Sequence, residues 1–339
     1  MDATEVQSHF LLDLYRAAHE QNADHFQDWV LARLSQDLPF DSALWASASA
    51  TAAGPVGHVA QLYRQPPQMI ADYEALKHLD TINAASVQHP GKTLFVVSRD
   101  QLPEAFHAYV GRYRLEHTLT TLNFEPQIAV YTVISLYRAD RNHAFTAAQA
   151  QFKQTLFPHL IEADSQNKLA HLEGHAPLGA TNPWHGAAID AQGLLRHASA
   201  GFNGLALREW PGWRGPHLPD PLRHFLASHK TTAAMPRHTM ARRAHPAPLA
   251  LGPLTLVQLR EQHAVDKLPD RMRQVAQLAA QGHSSKHIAA RLSISPNTVR
   301  NHLVEAYLRL SVKNKAEMAG LVLRFDELLP DKPQGRAPS

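Results

Sequence analysis

The clearest pattern of apolar and polar positions lies near the C-terminal end of the chain, where three short helical periods follow one another. In each period, apolar residues recur three and four positions apart, the spacing of one face of an amphipathic helix. The apolar positions are Val275, Leu278 and Ala279, then Ile288, Ala289 and Leu292, then Val299, Leu303, Ala306 and Leu310. The pattern predicts three helices packed around a shared core.

Local signals predict where the first two helices begin and end. The first helix should run from about Pro269 to Gln281, because proline is tolerated in a first helical turn. Gly282 can adopt the left-handed conformation that stops a helix. Ser284 or Ser285 is suited to cap the second helix.

The turn before the third helix has an equally clear signature. Ser293-Ile294-Ser295 is predicted to form the turn, Ser295 to cap the third helix, and Pro296 to open it. Two helices joined by so short a turn are typical of a helix-turn-helix, whose second helix enters the major groove of DNA.

The apolar face of the third helix determines which of its residues point outward. Arg300, Asn301 and Val304 lie away from that face, near the start of the helix, and are predicted to contact bases. An arginine can pair with guanine, an asparagine with adenine or a phosphate, and a valine can meet a thymine methyl group. Contacts to the DNA backbone are predicted for Lys286, Asn297, Thr298, Lys313 and Lys315.

Charge is divided unevenly along the chain. Residues 268–325 hold nine Lys and Arg against three Asp and Glu, whereas residues 1–150 hold ten against sixteen. The net charges are therefore +6 and −6, a contrast hidden in the whole-chain value of +3. A basic helical module is suited to neutralise several phosphates, so double-stranded DNA is the leading predicted partner.

The same region resembles the LuxR family, whose DNA-binding domain is the GerE-type helix-turn-helix. The shared pattern is Gly282-x-Ser284-x-Lys286-x-Ile288-Ala289-x-x-Leu292-x-Ile294-Ser295-x-x-Thr298-Val299-x-x-His302, followed by Leu310-x-Val312-x-Asn314-Lys315-x-Glu317. The resemblance implies an all-α, four-helix DNA-binding domain over residues 262–330, with the same three base-facing residues. It also implies a homodimer formed through the last helix, about Lys315 to Phe325, with Met318, Leu321 and Val322 at the interface.

Two positions depart from the family pattern. The Arg-Glu expected early in the first helix is Arg271-Met272, which removes an expected internal ion pair. The Lys-Leu expected near the end of the third helix is Arg309-Leu310. Neither change falls on the predicted DNA-facing residues.

The remaining sequence is predicted to be α+β and multidomain. Residues 1–165 resemble a mixed α/β GAF/PAS-like sensory domain. Predicted helices span 6–22, 26–38, 104–114 and 146–163; predicted strands span 41–47, 93–97, 115–121 and 127–138, with a loop at Gly54-Pro55.

A second, smaller PAS-like unit is predicted within residues 180–260. It would contain strands at 187–189 and 194–198, a helix from about Ser199, and a strand pair around 249–259. The proline-rich stretches 211–221 and 236–248 are interpreted as loops or linkers.

Composition narrows the class of protein. A chain of 339 residues is long enough for two or three domains, and 44% hydrophobic residues indicate a globular protein. There is no cysteine, no apolar run long enough to span a membrane and no basic, apolar leader at Met1, so a cytoplasmic protein is expected.

Other kinds of site are less well supported. His171 and His175, like His283 and His287, have helical spacing, but no Cys or carboxylate completes a metal site, so no metal or cofactor is predicted. No nucleophile–base pair indicates catalysis. The motifs of acyl-homoserine-lactone receptors, receiver domains and ATP-binding loops are missing, which leaves the effector unknown. Core packing is favoured over a ligand cavity for Trp29, Trp45, Phe95, Phe106, Tyr109, Phe124 and Tyr131.

The predicted function is that of a sequence-specific transcriptional regulator. It would be an activator that responds to a small molecule or a protein, acts as a dimer and engages RNA polymerase. The same helix-turn-helix also suits a repressor. A sigma-factor-like protein and an enzyme with an accessory DNA module are the alternatives; the acidic, strand-containing N-terminal region disfavours the former.

Overall fold

A computed structural model describes residues 3–58, 60–173, 184–227, 232–234, 238–244 and 254–327. Within this part of the chain, two antiparallel sheets with flanking helices precede a helical C-terminal domain. The predicted combination of a mixed α/β N-terminal region and a helix-turn-helix domain is confirmed. No helix among the described residues is long and apolar enough to cross a membrane.

The first sheet is built from six strands in the order β2-β1-β6-β5-β4, with β3 also paired to β1. The strands are β1 (Ser42–Thr51), β2 (Gly54–Gly57), β3 (Gln61–Tyr63), β4 (Thr93–Val97), β5 (His117–Glu125) and β6 (Val130–Arg138). The prediction of a loop at Gly54-Pro55 is wrong, because these residues begin β2. Gly54 has a φ of +110° and pairs with Thr51 at the tight turn from β1.

Among the described residues, seven α-helices and two 3-10 helices, Lys77–Leu79 and Glu104–Phe106, belong to this first α/β unit. The α-helices are α1 (Ala3–Glu20), α2 (Ala23–Asp37), α3 (Gln68–Glu74), α4 (Thr81–Gln88), α5 (Ser98–Gln101), α6 (His107–Tyr113) and α7 (Ala147–Glu173). Ala43 and Trp45 on β1 pack in a core with α1, α2 and α7. Leu44, between them, packs in a second cluster with α3 and α6. Because side chains alternate along a strand, the sheet carries helices on both faces.

Helix α7 joins the first sheet to the second. The sequence predicts its end at Ala163, but the helix continues to Glu173. On its last turns, Leu169 packs in a buried cluster with Ala23 of the first unit and Ala188, Leu254 and Leu256 of the second. No Gly or Pro falls in residues 164–173, so nothing in that segment stops the helix.

The second sheet has five strands in the order β8-β7-β11-β10-β9. Its elements are β7 (His185–Ile189), β8 (Leu195–Ala198), α8 (Ala200–Glu209), α9 (Asp220–Ala227), β9 (Thr232–Ala234), β10 (His238–Ala244) and β11 (Thr255–Glu261). The strands β7 and β8 and the helix α8, capped by Ser199, agree with prediction. The proline-rich stretch 236–248 is wrongly interpreted as a linker, because β10 lies within it and pairs with β11.

The C-terminal domain contains a short 3-10 helix, Ala264–Lys267, and four α-helices. These are α10 (Asp270–Ala280), α11 (Ser285–Leu292), α12 (Pro296–Leu310) and α13 (Lys315–Glu327). The predicted apolar faces meet in one core: Val275, Ile288 and Val299 are each 1% exposed or less. This core fixes the orientation of the outward faces of α11 and α12.

A lysine is completely buried beneath the first sheet. Lys153 on α7 donates from Nζ to Thr121 Oγ1 at 2.6 Å and to the carbonyl oxygen of Ile134 at 2.9 Å. Its Nζ also lies 5.4 Å from the ring centroid of Phe157. Burial holds the pKa of the Lys153 ammonium well below its ordinary value of 10.5.

Replacing Lys153 by Met should raise the free energy of unfolding near neutral pH by about 1–4 kcal/mol, as replacement of buried charges by apolar residues can do. The unfolded chain binds more protons than the folded one between the lowered folded-state pKa and 10.5. The wild-type protein should therefore gain stability as the pH rises through this interval, and Lys153→Met should lack that gain.

Urea unfolding of both proteins from about pH 7 to about pH 9.5 would measure this difference. Lys92→Met, at an exposed position, serves as the matched control. Equal pH dependence in wild type and Lys153→Met would contradict the prediction.

Candidate nucleic-acid interface

The start of α12 is held by a side-chain cap. Ser295 has extended backbone angles, and its Oγ accepts a hydrogen bond from the amide of Thr298 at 3.0 Å. Pro296 follows in the first helical turn, as predicted. The remaining amides of this exposed first turn are available to a phosphate.

The three residues predicted to face bases lie together on the outer side of α12. Arg300 and Asn301 are exposed, and Val304 is 58% exposed. On the opposite side of the helix, Val299 and Ala306 have no exposed surface. The structure therefore brings together one guanidinium, one carboxamide and one small apolar group on a single protruding face.

The turn between α11 and α12 is closed by backbone and side-chain contacts. Ser293 adopts the left-handed conformation, with φ of +54°, and the amide of Ile294 donates to the carbonyl oxygen of Ala289 at 3.0 Å. Arg271 Nη2 donates to the carbonyl oxygen of Leu292, which ties α10 to the end of α11. These contacts fix the orientation of α12 relative to α10 and α11.

Cations surround this face. Lys286 on α11, Lys313 and Lys315 are all exposed, and among the described residues none of them forms an ion pair. Arg309, in contrast, is paired with Glu305 through a 2.7 Å contact. Asn297 is exposed and Thr298 is half-buried at the helix start. All five residues predicted to contact the DNA backbone are therefore accessible to solvent. The contacts themselves remain predictions.

The departure at Met272 has a structural explanation. Its side chain is 3% exposed and belongs to the core of the domain, where the thioether fills space between helices. The neighbouring Arg271 bonds to Gln274 Oε1 at 3.0 Å and to the backbone of α11. The substitution therefore exchanges an ion pair for apolar packing.

The C-terminal domain is similar to domains of known proteins. Residues 266–322 match the family described as bacterial regulatory proteins, luxR family. The chain is 41% identical over 61 residues to the spore germination protein GerE of Bacillus subtilis, covering 18% of this chain and 82% of GerE. The chain belongs to the LuxR family of regulatory proteins.

Two further similarities are weaker, the first because it covers little of the relative and the second because its identity and TM-score are low. Over 54 residues the chain is 46% identical to the transcriptional regulatory protein UhpA of Escherichia coli, which covers 16% of this chain and 28% of UhpA. The crystal structure of Escherichia coli SdiA aligns over 97% of this chain and 100% of its own, with 14% identity and a TM-score of 0.37. Family membership therefore follows from the DNA-binding domain alone.

The structure corrects two of the residues predicted for a LuxR-type dimer interface. Met318 and Val322 are fully buried and pack against α10, so they are core residues of their own domain. Leu321 is half-buried and Leu323 is 48% exposed, which leaves these two at the surface of α13. The helical period explains the error, because apolar residues that bind the domain's own core and those that bind a second chain share one helix.

Sequence reasoning missed a buried ion pair at the base of the domain. Arg260, the penultimate residue of β11, is 1% exposed and donates to both carboxylate oxygens of Asp266, at 2.6 and 2.8 Å. Its guanidinium lies 4.8 Å from the ring centroid of Trp184 and 5.3 Å from that of Phe325. The second sheet, the 3-10 helix and α13 thus meet at the side chain of Arg260.

His263 also lies at this junction between the second sheet and the DNA-binding domain. The amide of His263 donates to Asp266 Oδ2 at 2.8 Å, and its ring lies 5.5 Å from that of Phe325. Burial is the main cause that lowers the pKa of His263 from 6.5; Asp266 opposes this shift, and Arg260 and Arg324 add to it. The imidazole of His263 and the guanidinium of Arg260 thus both lie against the ring of Phe325.

The other candidate residues fall into different environments. His283 and His287 stack with ring centroids 4.6 Å apart, and His175 lies outside the described residues. Among the described residues no three His, Asp or Glu side chains are grouped to hold a metal. Phe106 and Tyr109 belong to a buried aromatic cluster, Phe95 is 45% exposed, and Phe124 pairs with Tyr131 across two strands.

Proposed function

We propose that this chain is a sequence-specific transcriptional activator that binds DNA as a homodimer and responds to an effector bound by its α/β region. The observation that carries the proposal is the outer face of the capped helix α12. Arg300, Asn301 and Val304 there present two hydrogen-bonding groups and one apolar group to the major groove. Residues 266–322 carry the family match in the same place.

Two structural features support a dimer and a coupled response. Leu321 and Leu323 provide accessible apolar surface on α13 for a second copy. The pair Arg260–Asp266 attaches the DNA-binding domain directly to β11, so a shift of the second sheet would move the domain. With this arrangement the dimer would read two half-sites about one helical turn apart.

The proposal is tested by recovering bound genomic DNA. Full-length protein is mixed with sheared genomic DNA near physiological salt, and the retained fragments are sequenced. A shared, roughly palindromic motif near promoters is expected, and transcription in vitro with RNA polymerase then separates activation from repression. Retention without any common motif would contradict sequence-specific binding.

A backbone contact is predicted for Lys286. Replacing it by Gln should weaken binding to all DNA sequences similarly and reduce the slope of log affinity against log salt by about one. The same removal of charge at Lys92, on the acidic first unit, should leave the slope unchanged. Fluorescence anisotropy over a salt series measures both. An unchanged slope in Lys286→Gln would remove this residue from the interface.

A further inference from the structure

A cavity of about 180 Å³ lies between the two α/β units. The first unit contributes Trp45 from β1 and Val130 from β6, and the second contributes Arg196 and His197 from β8 and Asn203 from α8. Helix α7, which spans both units, adds Lys168. The cavity is therefore formed only when the two units are packed together.

Two cations that line this cavity are held in ion pairs. Lys168 is buried and paired with Asp164 at 2.7 Å, and Arg196 is paired with Asp190 at 2.5 Å. Burial first, and then the charges of Lys168 and Arg196, hold the pKa of His197 well below its ordinary value of 6.5. The imidazole is thus neutral, and the local field opposes a further cation.

Two polar atoms of the cavity residues lack partners. Arg196 Nη1 and Asn203 Oδ1 are both buried, and neither has a hydrogen-bond partner in the described structure. An unsatisfied buried donor or acceptor costs about 1–3 kcal/mol. A ligand that accepts from Arg196 and donates to Asn203 would satisfy both.

The first turn of α8 favours the same orientation of a ligand. Ser199 caps this ten-residue helix, and Ala200 and Asn203 line the cavity at its start. The partial positive charge of a helix N-terminus stabilises an anion there. The carboxylates Glu125 and Glu162 that also line the cavity are exposed to solvent, so water screens their repulsion of an anion.

We infer that this cavity binds a small organic acid whose carboxylate accepts a hydrogen bond from Arg196 and whose neighbouring hydroxyl group donates to Asn203. Trp45, Val130 and Ile161 form an apolar wall for the rest of the molecule. A 2-hydroxy acid has this arrangement of groups. The inference deepens the proposed function, on which its regulatory meaning rests, but the binding itself requires no DNA.

Calorimetric titration of the full-length protein without DNA tests the inference. The probes are 2-hydroxy acids with side chains from methyl to benzyl, each paired with its primary amide. At least one acid should bind one molecule per chain, and its amide should bind at least tenfold more weakly. Failure of every acid to bind, or equal binding of acid and amide, would overturn the inference.

Two variants test the assigned residues. Asn203→Asp is nearly isosteric and adds a negative charge in the first turn of α8, where a helix tolerates it. It should weaken binding of the acid at least tenfold. Ala198→Leu, which fills the cavity without changing charge, should abolish binding, whereas Arg112→Gln on the distant surface should not change it. Unchanged binding in Asn203→Asp would be decisive against the site.

DNA binding is measured separately on the same samples. A protein that binds its DNA motif but no acid would overturn the ligand site alone. A protein that binds the acid with no change in its DNA affinity or transcriptional output would retain the site and overturn the effector response of the proposed function.

Discussion

Asp266→Ala should lower the free energy of unfolding of the DNA-binding domain by about 3–5 kcal/mol, the largest effect expected of any single substitution considered. Removal of the carboxylate leaves the Arg260 guanidinium buried, 1% exposed, without a counter-charge. It also removes the acceptor for the amide of His263. Hydrogen exchange of the amides of α10 and α13 in urea would measure the loss of stability.

Matched variants separate the cost of a buried charge from loss of packing. Asp270→Ala removes an acidic side chain that is 88% exposed, although it too is paired with an arginine, and should change stability by less than about 0.5 kcal/mol. The double replacement Arg260→Met, Asp266→Leu should recover much of the stability lost in Asp266→Ala. If Asp266→Ala behaved like Asp270→Ala, the buried pair would not hold the junction.

Arg300→Ala should cost about 1–3 kcal/mol in binding to the specific DNA motif, which is roughly a 5- to 150-fold loss of affinity. The side chain is exposed and forms no ion pair among the described residues, so its loss should not affect folding. One position of the motif should become degenerate, because the bidentate contact that selects its base is gone. Sequencing of DNA selected by wild type and variant would measure both effects.

Arg300→Lys is the informative control for this prediction. It keeps the positive charge but loses the planar fork that pairs with guanine. The dependence of affinity on salt should therefore stay as in the wild type, while preference at that base position falls. Retention of full specificity in both variants would show that α12 does not read bases through Arg300.

The exposed face of α12 could be predicted from the sequence because its determinants are local. A cap at Ser295, a proline after it and an apolar period along α12 all lie within sixteen residues, and each indicates one structural feature. The orientation of Arg300 follows from the burial of Val299 beside it. No distant part of the chain is needed to place these side chains.

The packing of α13 and the strand within the proline-rich stretch 236–248 could be assigned only from the tertiary structure. Met318 and Val322 have the same apolar character whether they face their own domain or a second copy, and only the position of α10 decides between them. Similarly, β10 becomes a strand because β11 offers it a partner, which propensity within residues 236–248 does not reveal.

The junction and the cavity lie beyond sequence reasoning for a related reason. Arg260 and Asp266 are six residues apart, an ordinary spacing of opposite charges, and become a buried pair only because Trp184 and Phe325 close over them. The cavity likewise takes its residues from both sheets, so no local motif marks Arg196 or Asn203 as neighbours of Trp45.

The continuity of α7 limits how this protein can be divided. A fragment that ended at residue 165 would cut α7 before its last turns and would lack Leu169, which packs in a buried cluster with Ala23 and with residues of the second unit. Asn167, whose side chain bonds to the carbonyl oxygens of Ala18 and Gln21, would be lost from the end of α1. The two α/β units therefore do not behave as exchangeable modules, and chimaeras should keep residues 3–267 whole, so that Arg260 retains Asp266.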